Sequence, residues 1–490
     1  MRKLNDSFAR GWVRLGTRFM PFADVATAEL PLGRLLRLSL FQVTVGMAIV
    51  LIIGTLNRVM IVELGVPTWL VAVMVSLPLM FAPARALVGH KSDNHRSVLG
   101  WRRVPYIWFG TLVQFGGLSI MPFALILLSG DSNAAPWVGQ ASAALAFLLV
   151  GAGLHTTQTV GLALASDLAP EHAQGRVVTL MCAMLLVGMM VSALVFGLLL
   201  ANFSQIRLIQ VIQGAALTTM VLNVVALWKQ EARVPGGICG AAAPAMDFRA
   251  ALRDFTAEPG AVRRLVAVGL GTFSFSMQDI LLEPYGGQIL KLPVGMTTGL
   301  TALLAVGGIA GFVIGARLVS AKADPFRVAA LGVLAGICAF VAVVFAAPLM
   351  SAGVFALGTT LIGAGSALFL VGTLTAALEA ARGGQAGLAI GTWGAVQAFT
   401  AGAAIAMGGI LRDVVSGLAE QGTFGPALMD PVTGYSFVYN LEILLLFATL
   451  VALGPLVRRA APTGQDRLAE GLMALSAQPN WQPLTSFDRR

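Results

Sequence analysis

FSFSMQDILLEPYGGQIL, residues 273–290, sits in a run apolar enough to cross a bilayer and still carries Gln278, Asp279 and Glu283. A carboxylate at membrane depth costs about 2.5–3.5 kcal/mol on insertion scales, so it normally faces protein or a water-filled cavity. The four-residue spacing puts Asp279 and Glu283 on one face of a helix. Pro284 with Gly286 and Gly287 is expected to break that helix just beyond them. A charged, interrupted membrane helix marks a functional site; the competing reading seats both acids at the water boundary.

The rest of the chain agrees with a membrane setting. Apolar residues make up 57% of the 490, charged residues 11%, and the mean hydropathy is +0.83. No soluble domain covers its surface with so little charge. Spans of about 20 apolar residues are needed to cross the hydrocarbon. Twelve are predicted, over 36–62, 68–88, 104–129, 136–165, 174–201, 207–228, 264–285, 294–320, 327–349, 352–379, 387–411 and 435–457. Helices satisfy their own backbone polar groups in lipid, so an all-α bundle is expected rather than a barrel.

Charge placement orients the bundle. Of the 32 Lys and Arg, all but Arg58, Arg207, Lys291 and Arg412 fall on one side of the predicted spans. That asymmetry predicts both termini in the cytoplasm. It also accounts for the net charge of +9 without nucleic acid. A cleavable signal peptide is not expected, because a polar arm precedes the first span. Cys182, Cys239 and Cys338 are scattered, which suggests neither a disulfide framework nor a metal cluster.

The arm itself is amphipathic. Phe8, Trp12, Leu15 and Phe19 form one stripe, with Arg10, Arg14 and Arg18 opposite. This is the pattern of a helix lying in the membrane interface on anionic lipid, and a partner-binding helix would look similar. After the sixth span a Pro/Gly/Ala stretch leads to a second such pattern, Phe248, Leu252 and Phe255 with Arg249 and Arg253 turned away.

That recurrence belongs to a larger repeat. The loop after span two reads GHKSDNHRSVLGWRR (89–103), with Gly89, Asp93, Arg96, Arg102 and Arg103; the loop after span eight reads GARLVSAKADPFR (315–327). Their glycines are 226 residues apart, close to the separation of spans one and seven. Two six-helix halves are the signature of the major facilitator architecture, whose inner-loop motif the first copy resembles. The chain then divides into an interfacial arm (1–34), a first half (35–229), a linker (230–262), a second half (263–458) and a tail (459–490). Gly307, Gly311 and Gly315 in span eight, and Gly387 and Gly391 in span eleven, suit close helix approach.

Three polar constellations carry the candidate chemistry. Span one ends GTLNRVMIVELG (54–65), with Asn57, Arg58 and Glu63; span seven, its repeat counterpart, carries Gln278, Asp279 and Glu283. Arg58 can pair with Asp279 or Glu283 across the halves, pair locally with Glu63, or snorkel outward. The third, GLHTTQTVGLALASDLAPEHAQGR (153–176), puts His155 and Gln158 within an apolar helix and assigns Asp167, Glu171 and Arg176 to the inner loop. A neutral imidazole there either ligates the magnesium of a chlorin-type pigment or hydrogen-bonds a neighbouring helix. No nucleophile, metal cluster, phosphate loop or paired Asp-rich loops are present in the sequence, so an enzyme is not expected.

PFADVATAELPLGRLLRLSLFQVTVGMA (21–48), GTLNRVMIVELGVPTWLVA (54–72), SDNHRSVLGWRRVPYIWFGTL (92–112), HTTQTVGLALASDLA (155–169) and SMQDILLEPYGGQIL (276–290) resemble the PucC/LhaA family, a branch of the major facilitator superfamily in photosynthetic bacteria. The resemblance implies a multi-pass protein of the photosynthetic, intracytoplasmic inner membrane that assembles antenna complexes. Antenna polypeptides and bacteriochlorophyll, as cargo or ligand, are the implied partners, beside membrane lipid. A proton-coupled exporter of an amphipathic or pigment-like solute, with Asp279 and Glu283 titrating, is the competing function, and a non-transporting scaffold is equally compatible with the residues.

Overall fold

All regular structure is helical in the computed structural model, which describes residues 31–80, 88, 92, 101–130, 135–169, 174–231, 260–380 and 386–457. The first span runs through α1 (Leu32–Leu38), α2 (Leu40–Ile49) and two π-helical stretches, Val50–Leu56 and Val59–Glu63. The first half continues with α3 (Thr68–Met80), α4 (Val104–Leu128), α5 (Pro136–Leu168), α6 (Gln174–Leu199) and α7 (Gln205–Leu227). The second half begins with α8 (Ala261–Ser276), a 3₁₀ turn (Met277–Ile280) and α9 (Leu282–Gln288). It continues with α10 (Val294–Ser320), α11 (Pro325–Ala346), α12 (Ala352–Ala380), α13 (Ala386–Glu420) and α14 (Val432–Leu453).

Eleven of these helical segments are long and apolar enough to cross a membrane; α3 is a shorter apolar helix, and the end of its expected span (81–88) lies largely outside the described residues. The protein is therefore a multi-pass membrane protein, with large apolar side chains such as Phe109, Phe123 and Leu198 turned outward. Also outside the described residues are the arm up to residue 30, Gly89, Asp93, Arg96, Glu171, the linker patterns at 235–255 and the tail from 458.

Helix boundaries follow local chemistry. Asp324 caps α11 by accepting from the N–H groups of Phe326 (2.8 Å) and Arg327 (3.2 Å), with Pro325 in the first position where its missing N–H costs nothing. That cap gives the aspartate of the second loop copy a structural task. Glu231, just after α7, accepts from the backbone N–H groups of Arg102 (2.8 Å) and Val104 (2.9 Å) and so closes the start of α4. Two expected loop assignments move: Asp167 lies in the last turn of α5 and Arg176 in the first turn of α6. Arg412, expected beyond span eleven, lies within α13, which runs on to Glu420.

Packing places spans one and seven at the centre. In their most apolar 18-residue windows 83% of Leu32–Glu63 and 72% of Ala261–Gln288 are buried, against 22% for Leu180–Leu199 at the periphery. The glycine ladder of α10 is architectural, as expected: a Cβ on Gly307 would meet the Thr360 carbonyl, and one on Gly311 the Ala364 carbonyl of α12.

Candidate functional site

Spans one and seven both leave α-geometry, and they do so at equivalent points. The widened stretch of span one covers 50–63; shifted by the 226-residue repeat it falls on 276–289, where span seven tightens to 3₁₀ and restarts at Leu282. Irregular turns free backbone groups, and span one uses one freed in span seven: Asn57 Nδ2 donates to the Ile280 carbonyl at 2.9 Å. The sequence places the break after Glu283, at Pro284. The structure places it before, at Met277–Ile280, and carries Pro284, Gly286 and Gly287 inside α9. Pro284 falls in the first turn, where its lack of an N–H breaks no helical hydrogen bond.

That shift separates the two acids. With the helix tightened to 3₁₀ over Met277–Ile280, the four-residue α-helical register does not hold between Asp279 and Glu283. Glu283 is buried against span one and accepts from Thr301 Oγ1 at 2.5 Å. Asp279 is half-buried and accepts from the side-chain amide of its neighbour Gln278.

Each broken helix offers a glycine to the other's charged side chain. A Cβ on Gly54 would strike the Glu283 carboxylate and come within 3.0 Å of Thr301 Oγ1; one on Gly287 would come within 3.1 Å of Arg58 Nε. The glycines thus let Glu283 lie against the backbone of span one and Arg58 against α9. Arg58 Nη1 nevertheless pairs with Glu63 at 2.5 Å, and Nη2 donates to the Leu292 carbonyl at 3.3 Å. Of the partners open to Arg58 in the sequence, the local one is realised; Glu283 remains within electrostatic reach of it. Asn57 Oδ1, Arg58 Nε and Glu283 Oε2 are buried polar atoms without a hydrogen-bond partner among the described residues. This is a polar seam between two halves, with acceptors and a donor to spare.

Two groups of residues not singled out in the sequence complete the site. Glu442 of α14, fully buried, accepts from the Gln278 N–H at 2.7 Å, a backbone donor released where span seven changes helix type. A lone glutamate in the apolar stretch YNLEILLLF (439–447) was the available signal. Below it, Tyr285 packs edge-on to Tyr435 and Tyr439, both at 5.5 Å, anchoring α9 in the second half.

The second group latches the halves together beside the seam. Trp69 N–H of α3 donates to Asp413 Oδ2 at 2.8 Å, and Arg412 donates to Thr68 Oγ1 at 3.2 Å and Gln288 Oε1 at 2.7 Å. The Arg412 guanidinium also lies 4.5 Å from the centre of the Tyr435 ring, whose hydroxyl donates to the same Gln288 oxygen at 2.7 Å.

The other predicted residues fall elsewhere. Arg102 (2.5 Å) and Arg103 (2.8 Å) converge on Asp167 at the end of the first half, and Arg103 donates to Ser92 at 2.9 Å, a brace between α4, α5 and the preceding loop. His155 and Gln158 lie half-buried on one face of α5.

The comparisons with known proteins follow the same lines. The family model described as PUCC protein matches residues 55–461. The chain is 53% identical over 459 residues to the "Uncharacterized protein in puhA-bchM intergenic region" of Rhodobacter capsulatus, covering 93% of this chain and 94% of that one. It is 56% identical over 420 residues to Protein PucC of Rhodovulum sulfidophilum, covering 85% and 92%. "Bacteriochlorophyll synthase 44.5 kDa chain" of Rhodobacter capsulatus is 27% identical, with 87% and 96% covered. Among solved structures, the nucleoside transporter NupG superposes with a TM-score of 0.61 at 13% identity, over 86% of this chain and 98% of that one. The inward-facing, unoccupied bacterial homologue of the lysosomal transporter Spinster gives 0.63 at 14%, over 86% and 95%. These likenesses fix a transporter-type fold.

Proposed function

Since the chain belongs to the PUCC protein family, we propose that it is an assembly factor for light-harvesting antenna complexes in the photosynthetic inner membrane. The single observation that carries this reading is the identity of 50% or more, along most of the chain, with proteins named PucC. In this reading it works at the seam of Arg58, Glu63, Gln278, Asp279, Glu283 and Glu442, between two broken central helices, and the buried polar atoms left without partners there support the choice. Nascent antenna polypeptides are the partners and bacteriochlorophyll is delivered cargo. His155 is the residue whose imidazole would take the pigment's magnesium. The chain itself makes and breaks no covalent bond. Its twelve spans form two halves (35–229 and 263–458) between a cytoplasmic arm, linker and tail.

One observation favours a second reading, a proton-coupled exporter of an amphipathic or pigment-like solute. Three carboxyl groups, Asp279, Glu283 and Glu442, sit at membrane depth around a transporter-type interface. Gentle purification separates the two. Antenna polypeptides and pigment that co-purify with the chain favour assembly; solute accumulation in proteoliposomes under a proton gradient, with no antenna polypeptide retained, favours export.

A further inference from the structure

The lipid-facing surface of the second half carries a groove far from the seam. It is shallow and open, lies where α8 begins and α14 ends, and is lined by Gly260, Val262, Arg263, Val266 and Ala452. Four of these five residues are apolar or lack a side chain, and Val262 and Val266 are exposed one helical turn apart on α8. Arg263 stands at the rim. Its Nε donates to the Ala452 carbonyl at 3.0 Å and its Nη2 to the Val451 carbonyl at 3.4 Å, which fixes the guanidinium against the last turn of α14. Arg264 follows, and the positive end of the α8 dipole opens at the same point. An apolar trough under a pinned cation matches a molecule with a chain and a negatively charged head.

We propose that this groove binds one anionic phospholipid, its acyl chain along Val262, Val266 and Ala452 and its phosphate on Arg263. The occupant follows from charge complementarity: the groove opens at the end of the bundle that carries Arg34, Arg102, Arg103 and Arg264, the end that faces an anionic leaflet. The site would tie lipid composition to the position of α8, the helix that leads directly into the 3₁₀ break of the seam.

The test is native mass spectrometry of the full-length protein in mild detergent with equimolar phosphatidylglycerol and phosphatidylcholine. One cation at a membrane surface changes the preference for an anionic lipid by about fivefold. The parent should retain phosphatidylglycerol over phosphatidylcholine by about that factor. Arg263→Gln should erase the preference, Arg263→Lys should keep it, and Ala452→Phe, which fills the trough and keeps the charge, should lower both adducts. Equal retention of the two lipids by the parent, or an unchanged ratio in Arg263→Gln with unchanged adducts in Ala452→Phe, overturns the proposal. So does full-yield cross-linking in membranes between cysteines placed at Leu252 and Val266, which would put the chain's own linker in the groove.

Discussion

Arg58 offers the sharpest test of how the seam is held. Its side chain is 5% exposed and bonds Glu63, whose side chain is 36% exposed, at 2.5 Å. Removing one partner of a fully buried pair costs about 3–5 kcal/mol, and a fully exposed pair is worth about 0–1 kcal/mol. A pair with one buried and one half-exposed member belongs between, so a double-mutant cycle of Arg58→Met and Glu63→Met should give a coupling of about 1–3 kcal/mol. The hydrogen bond from Arg58 to the Leu292 carbonyl is lost in both arms that remove Arg58 and cancels in the cycle. Equilibrium unfolding in mixed micelles supplies the four free energies. A parallel cycle of Arg58→Met with Glu283→Gln should give less, because no hydrogen bond joins those two among the described residues. Coupling below about 0.5 kcal/mol for Arg58–Glu63, with a larger value for Arg58–Glu283, would refute this account of the seam.

Other consequences are simpler to read. Glu442→Leu should lower stability by about 1–3 kcal/mol, because it strands the buried Gln278 N–H, while Glu442→Gln keeps an acceptor and should cost less; thermal melts in detergent compare them. Gly54→Val should destabilise by about 1–3 kcal/mol and displace Glu283, since a Cβ there has no room, whereas Gly116→Ala, at an open position, should be tolerated. Cysteines at Ser132 and Thr423 should label from outside, and ones at Ser97 and Thr463 only from inside; outside labelling at Ser97 would overturn the twelve-span orientation. His155→Phe should lower bound bacteriochlorophyll without lowering folded protein, read from the absorption of the gently extracted chain; pigment at the parental level would clear His155 of that role.

The bundle was legible in the sequence because it rests on local quantities. Apolar run length placed eleven of the long helices to within a few residues, apart from the far end of α13, since lipid demands continuous helices. The 226-residue repeat did more than suggest two halves: it maps the irregular turns of span one onto those of span seven. What sequence could not supply was geometry that depends on a partner helix. Pro284 looks like a breaker by propensity, but a proline in a first turn breaks nothing, and the real break at Met277 is held by Glu442 from 164 positions away in the chain. Arg58 had several carboxylates in prospect, and only the folded geometry, with Glu63 at 2.5 Å, shows which one it reaches. Arg412 reads as a loop charge because nothing local announces Gln288 and Tyr435 as its neighbours.

The central claim, that antenna assembly runs through the acids of span seven, is tested most directly by the absorption spectrum of membranes from cells carrying Asp279→Asn or Glu283→Gln. Both changes keep size and remove charge, so the protein should insert and accumulate normally. The account predicts that, normalised to the immunoblotted protein, the bands of one antenna complex fall in each single mutant while the others persist. Parental antenna bands in both mutants at parental protein levels would contradict it.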